Sequence, residues 1–271
     1  MSPSRLTWLR YRRPTVQIEY LQFKASGRRP TLYKSNKATL KAMPPSIVIP
    51  SKIGRGKPIT YHSPKAIIDE QVAELLGLHA GDGYVSCGVW GIRCNLNDET
   101  LVQHIIELAR NVLGVEPSVR IRENTFTIRS GQKQAVHFFL KYGFPNGKKA
   151  ETVQTPKPIL SATDSKIIEA FLRGLFSSDG CFSIRKKDNS SRVDLMVRSK
   201  MLRDQFVALA SKIGFSFNTC DAKRIKKGFT WKSTGSFYNA NLCSRNAVKQ
   251  WMKEVGSLCD THIKKFNHWK N

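Results

Sequence analysis

Apolar residues recur at helical spacing in two stretches that end alike. In the first, Ile67, Ile68, Val72, Leu75 and Leu76 follow Ser63, a residue type that caps helices, and Pro64, which suits a first turn. The helix is expected over 63–83. In the second, Ile167, Ile168, Phe171, Leu172 and Leu175 follow Thr163 or Asp164, either of which can cap. Gly83 and Gly180 are expected to stop the two helices.

Each helix is followed by alternation of period two. Val85, Cys87 and Val89, then Ile92, Cys94 and Leu96, predict two strands; Leu101, Ile105 and Leu108 predict a helix near 99–113, closed by Gly114. Val119 and Ile121, a turn at Glu123-Asn124, and Phe126 and Ile128 predict a hairpin, and Gln132–Tyr142 another helix. The second stretch repeats this order. Phe182 and Ile184, the turn 188–191, and Val193, Leu195 and Val197 form a hairpin; Met201–Ile213 is helical, Phe237–Leu242 a strand and Ala247–Val255 a helix. The alternation places Arg and Asn on one face of each sheet and apolar residues on the other.

The two helix ends are self-similar. Leu75-Leu76-Gly77-Leu78-His79-Ala80-Gly81-Asp82-Gly83 returns 97 residues later as Leu172-Arg173-Gly174-Leu175-Phe176-Ser177-Ser178-Asp179-Gly180. Gly77 and Gly81 share a helix face, as do Gly174 and Ser178. A helix-interior glycine costs about 1 kcal/mol against alanine, which a close approach of two helix backbones would offset. Asp82 and Asp179 stand at helix C-termini, against the dipole. If the helices pack side by side, the carboxylates meet and repel unless a cation lies between them, and hard divalent ions suit carboxylate oxygen. A single Asp-Gly is ordinary turn chemistry; two copies with matching flanks ask for more.

These stretches resemble the LAGLIDADG motif of homing endonucleases, and two copies in one chain resemble its monomeric, pseudo-symmetric members. His79-Ala80 and Ser177 depart from the motif, while its eighth-position acid is Asp in both copies. The resemblance covers roughly residues 63–256. It implies an α+β fold of two pseudo-symmetric αββαββα halves, each with a four-stranded antiparallel saddle sheet, packed through the motif helices. The parts are a basic N-terminal extension (1–62), a first half (63–148), a linker (149–162), a second half (163–258) and a basic tail (259–271) whose role the sequence leaves open.

The implied activity is site-specific double-strand cleavage of DNA at an intron or intein insertion site, leaving short 3′ overhangs. Asp82 and Asp179 would hold roughly two or three Mg²⁺ ions, with Mn²⁺ as a substitute. By analogy the carbonyls of Gly81 and Ser178 assist, and Lys133 and Arg245 supply charge near the scissile phosphates. The sheets would contact a target of about twenty base pairs through Arg93, Asn95, Arg120, Arg122, Arg129, Ser183, Arg185, Lys187, Arg192, Asp194, Arg198, Arg224 and Lys226. Asn97-Asp98 and Arg198-Ser199, closing the second strands, are placed near the attacking water. The alternative is an intron RNA maturase or a silent nucleic-acid-binding protein.

Composition agrees with a polyanion partner. The 271 residues carry 45 Lys and Arg against 20 Asp and Glu, a net charge of +25. Residues 1–62 hold 13 basic residues and one acid, with Trp8, Tyr11, Tyr20, Phe23 and Tyr33 interleaved. They form either a nucleic-acid-binding arm or a basic leader without a specific role. No apolar run is long enough to span a bilayer. Six cysteines lack C-x-x-C spacing and read as reduced, mostly buried thiols of an intracellular protein, in a prokaryotic cytoplasm or nucleoid or in an organelle; the resemblance implies a monomer.

Overall fold

The computed structural model describes residues 46–49, 59–62, 64–122, 124–185, 187–223 and 236–270. Most of the basic extension, Arg224, Lys226 and the Arg122 side chain lie outside them. The elements run β1 (Ser46–Ile49), β2 (Ile59–His62), α1 (Glu70–Asp82), β3 (Gly83–Ser86), β4 (Val89–Asn95), α2 (Glu99–Leu113), β5 (Ser118–Arg122), β6 (Thr125–Ser130) and α3 (Lys133–Lys141). A short α4 (Lys157–Leu160) follows. Then come α5 (Ser165–Asp179), β7 (Gly180–Arg185), β8 (Ser190–Val197), α6 (Lys200–Lys212), β9 (Asn218–Lys223), β10 (Ser236–Leu242), α7 (Arg245–Glu254) and α8 (Asp260–Lys270). The fold is α+β, and the order αββαββα occurs twice. Each half builds one four-stranded antiparallel sheet, ordered β3-β4-β6-β5 in the first and β7-β8-β10-β9 in the second.

The first motif helix starts later than its apolar spacing predicts. Asp69, not Ser63, is its cap, accepting from the Val72 amide at 2.9 Å, and Lys65 pairs with Asp69 at 2.6 Å. Ile67 is 79% exposed and outside the helix. An Asp cap held by a lysine four residues back outcompetes the apolar pattern. In the second half Asp164 caps as expected, accepting from Lys166 N at 2.9 Å.

Gly83 and Gly180 end their helices in extended backbone (φ −77° and −83°), not in the left-handed region. They are glycine for space. A Cβ on Gly83 would overlap the His79 ring, and one on Gly180 the Phe176 ring.

The two motif helices pack with their backbones nearly touching. A Cβ on Gly77 would overlap the Phe171 carbonyl oxygen and come within 2.9 Å of Leu175 N; one on Gly174 would overlap the Glu74 carbonyl oxygen and lie 2.8 Å from Leu78 N. Glu74 sits beside this crossing, 4% exposed, and its carboxylate takes both Arg173 from the facing helix and His104 from α2. Burial pushes its pKa up, but the His104 hydrogen bond and the Arg173 guanidinium outweigh this and hold it below the ordinary value.

The inner faces of the sheets close the cores, with Trp90, Ile92 and Ile128 in the first half and Phe182, Val193, Leu195 and Ala240 in the second, all at most 1% exposed. Burial of each large apolar side chain contributes about 1.5–3 kcal/mol. The edge strands differ from expectation. In β5, Val119 and Ile121 are exposed, at 41% and 58%. In the second half β9 is exposed along Asn218–Asp221. A strand open on both faces carries no amphipathic signal, and for that reason β9 has none.

The tail is a helix that touches both halves. Asp260 accepts from Thr100 N at 3.3 Å and from the Thr100 hydroxyl, at the start of α2. Trp269 donates to the Asn189 carbonyl at 2.9 Å and, with Phe266, packs on Phe182. Four of the six cysteines (Cys87, Cys181, Cys220 and Cys243) are exposed; only Cys94 and Cys259 are buried.

Candidate active site and nucleic-acid face

Because α1 and α5 cross at their glycines, their C-termini arrive together. A Cβ on Gly81 would overlap Ser178 Oγ and lie 3.3 Å from Asp179 Cγ. Asp82 and Asp179 therefore share one end of the helix pair. Asp82 keeps an exposed edge at the mouth of the site, yet dense protein around it raises its pKa to about 7; Asp179 adds to the rise, while Lys149 and Arg93 oppose it. Burial likewise raises Asp179 to about 6, opposed by Lys149. These are carboxylates that lack a full complement of positive charge.

Lys149 is the residue that sequence reasoning missed. Its ammonium donates to the His79 carbonyl at 2.9 Å and to the Ala80 and Gly81 carbonyls, the open end of α1. Burial lowers its pKa to about 8, against the pull of Asp179 and Asp82. It reaches this point because Gly147 N donates to the Val85 carbonyl at 2.7 Å, which pins the loop after α3 onto β3. No periodicity marks it, since Lys149 lies in an irregular connection.

The departures from the motif are accounted for by packing. His79 is fully buried, accepts at Nδ1 from Trp90 Nε1 at 3.2 Å and stacks on Phe139 at 3.9 Å. Burial, with Lys149 nearby, holds its pKa well below the ordinary value, so the ring is neutral. Ser177 turns inward, donating to the Arg173 carbonyl at 2.6 Å and accepting from Leu258 N at 2.8 Å on the way to α8. Asp98 and Ser199 also face inward: Cys259 Sγ lies 3.3 Å from Asp98 Oδ1, and Ser199 caps α6 at 3.2 Å from Leu202 N.

Lys133 and Arg245 occupy the same place in the two halves, the first residue of α3 and of α7, and both are exposed. Arg245 lies over the Trp269 ring, 5.1 Å from its centroid.

Strand register decides which residues share a face. In the first sheet Arg93, Thr127 and Arg120 form one cross-strand row, Asn95, Thr125 and Arg122 the next, and Gly91, Arg129 and Ser118 a third. Arg93, Asn95, Arg120 and Arg129 thus share the outer face. Arg93 is among the charges that act on Asp82 and lies 5.5 Å over the Tyr84 ring. In the second sheet Ser183 pairs with Arg192, Arg185 with Ser190, and Asp194 with both Cys181 and Asn241.

That second face also carries Asn218, Asn239 and Asn241, which were not anticipated, although the alternation in 237–242 could have pointed to the last two. Lys187 lies in the β7–β8 turn. Arg198, beyond the end of β8, pairs with Glu151. Arg185 pairs with Asp188 at 3.5 Å.

The donor set at the helix ends fits a hard divalent cation: two carboxylates short of positive charge, flanked by helix-terminal carbonyls, of which Lys149 already takes those of His79, Ala80 and Gly81. Among the described residues no cluster of three His, Cys, Asp or Glu groups could hold a metal, so at the helix ends Asp82 and Asp179 are the carboxylates that would face a cation. Among these residues no helix is long and apolar enough to cross a membrane.

The LAGLIDADG-like domain model matches residues 166–255. The chain is 26% identical over 199 residues to the replication factor C small subunit of Methanocaldococcus jannaschii, covering 73% of this chain and 10% of that protein. It is 24% identical over 207 residues to the probable translation initiation factor IF-2 of the same organism, covering 74% of this chain and 16% of that one. The chain thus spans only a small part of these relatives. Among solved structures it resembles I-DmoI in complex with DNA and Mn, at 16% identity and a TM-score of 0.48, covering 70% of this chain and 98% of that one. The LAGLIDADG-like domain is thus matched in the second half of the chain, and the motif helix within that match is repeated in the first half and packed against it.

Proposed function

We propose that the chain is a metal-dependent DNA endonuclease that cuts both strands of a long, specific site. One observation carries the reading: two partly desolvated carboxylates from pseudo-symmetric helices end at one point, between two sheets whose outer faces bear Arg and Asn. Two carboxylates related in this way suit two cuts, one per strand. A bound divalent ion would supply a nucleophilic hydroxide and neutralise charge developing on the phosphate. Asp82 and Asp179 would hold that cation. Lys149 keeps the paired carboxylates ionised near neutral pH, and Lys133 and Arg245 lend charge to the phosphates. The sheet faces contact base edges in the major groove, Arg suiting guanine and Asn adenine, over roughly twenty base pairs.

The relatives add a second support. A replication factor and an initiation factor are different machines, yet this chain resembles 10% of one and 16% of the other. An element that inserts at DNA sites regardless of what the gene encodes would leave that distribution.

The Lys149 ammonium also favours a second reading. It partly fills a cation's place, as it would in a protein that binds DNA or intron RNA without cutting. A supercoiled plasmid carrying the chain's own locus with its coding segment removed, incubated with Mg²⁺, with Ca²⁺ and with chelator, separates the two. Linearisation with Mg²⁺ alone supports the nuclease; tight binding without cutting under any ion supports the silent binder. Lys149→Met should lower cleavage by about a hundredfold and move the acidic limb of the pH–rate profile to higher pH, because both carboxylates lose the cation that opposes their protonation. An unchanged acidic limb would make Lys149 only a cap for α1.

A further inference from the structure

The cationic residues of the two sheet faces are held differently. Among the described residues, Arg192 alone of the arginines named on these faces is gripped by a buried carboxylate from its own strand. Its Nε donates to Asp194 Oδ2 at 2.8 Å, and Ser183 Oγ approaches the same oxygen at 3.5 Å. The Arg192 side chain is 46% exposed and that of Asp194 only 10%. Both point from the outer face of β8, two residues apart, and Ser183 stands opposite Arg192 on β7. Asp194 Oδ1 is buried and has no hydrogen-bond partner among the described residues.

We propose that Asp194 fixes the Arg192 guanidinium as the reader of one guanine in the half of the target that lies under the second sheet. The inference rests on the reading of the chain as a DNA-binding nuclease and assigns one contact within it.

A guanidinium has a planar fork of donors, and bidentate contact with guanine O6 and N7 needs that plane fixed. Tying Nε to a carboxylate fixes the plane and leaves both terminal nitrogens for a second partner. A phosphate contact needs no such restraint, since a flexible charge serves as well. The buried carboxylate would otherwise be a poor choice on a surface meant for a polyanion, because it repels phosphate. Its place is explained if it orients the arginine.

The experiment uses full-length protein carrying Asp82→Asn, so that binding is read without cutting. Long randomised duplexes are selected for binding and the bound fraction is sequenced. Arg192→Lys keeps the charge on an exposed side chain and removes the fork. It should flatten a guanine preference at one position by roughly fivefold or more, leaving the preferences elsewhere intact. Asp194→Ala should flatten the same position in the parent and add nothing there once Arg192→Lys is present. The proposal is overturned if Arg192→Lys weakens all duplexes equally, if the flattened position is not guanine, or if Asp194→Ala acts at a different position. Should the Asp82→Asn protein enrich no duplex at all, the DNA-binding reading itself fails, and this assignment with it.

Discussion

Asp82→Asn and Asp179→Asn should each reduce double-strand cleavage by at least about a thousandfold, while DNA affinity stays level or rises. The first effect follows from the ligand set. Two carboxylates are all that the described residues offer a cation at this point, and an amide is a weaker ligand for a hard ion and carries no charge. The second follows from removing a negative charge that faces the phosphates. Stability should move opposite to activity. Both carboxyls have folded pKa values, about 7 and about 6, above their ordinary 3.8. The fold therefore favours their protonated forms. That contribution is fully present below about pH 4 and is lost as pH rises through 6 to 7. In chelator, wild-type protein should lose stability between pH 5 and 8, and the Asn variants should lose less. The gain at pH 8 should be on the order of 1 kcal/mol, the larger apparent value being discounted for solvent screening at the exposed edge of Asp82. Adding Mg²⁺ should restore the wild type and leave Asp82→Asn unmoved. Thermal melts with and without chelator check the stability side, and plasmid linearisation the activity. If either variant cuts both strands at the wild-type rate, the carboxylate pair is not the centre.

How much of this was legible in the sequence depends on how local each signal is. The αββαββα order was readable because each half alternates period 3.6 with period 2 where one face meets a core. The edge strand β9 was not, because Asn218–Asp221 are exposed and carry no pattern. The start of α1 was misplaced because apolar spacing at Ile67 and Ile68 outweighed the cap that Asp69 forms with Val72. The aspartates were visible through repetition, and the shared outer faces of the sheets through alternation. Lys149 was invisible: its role is set by a loop pinned through one backbone bond from Gly147, with the site assembled across a gap of 67 residues from Asp82. The tail was opaque for the same reason. Asp260 and Trp269 take their roles from Thr100, in the other half, and Asn189, both far away in sequence.

The glycines of the helix pair should separate into two kinds. Gly77→Ala should cost about 3 kcal/mol or more, with a fall in Tm near 10 °C. The new Cβ would meet Phe171 O and Leu175 N, backbone atoms that can yield only if the helices part. The helix propensity gained by alanine, about 1 kcal/mol, acts in the other direction and is too small to compensate. Gly174→Ala should behave alike, since its Cβ would meet Glu74 O and Leu78 N. No side-chain substitution nearby can rescue either, because no side chain is the obstacle.

Gly81→Ala is different. What its Cβ meets is the Ser178 side chain, overlapping Oγ and lying 2.7 Å from Cβ. Ser178→Gly removes both atoms and should recover most of the loss, leaving the 3.3 Å approach to Asp179 Cγ as a small residual strain. Gly131→Ala, with nothing within 4 Å, is the control and should leave Tm within about a degree. Activity should follow in the same order, because the separation of the helices at Gly77 and Gly174 sets the separation of the two carboxylates one turn or more further on. A double-mutant cycle on Gly81 and Ser178 that shows no coupling, or a Gly77→Ala protein that melts with the wild type, would mean that the helices do not approach at these positions in solution, and the carboxylate pair would lose its structural basis.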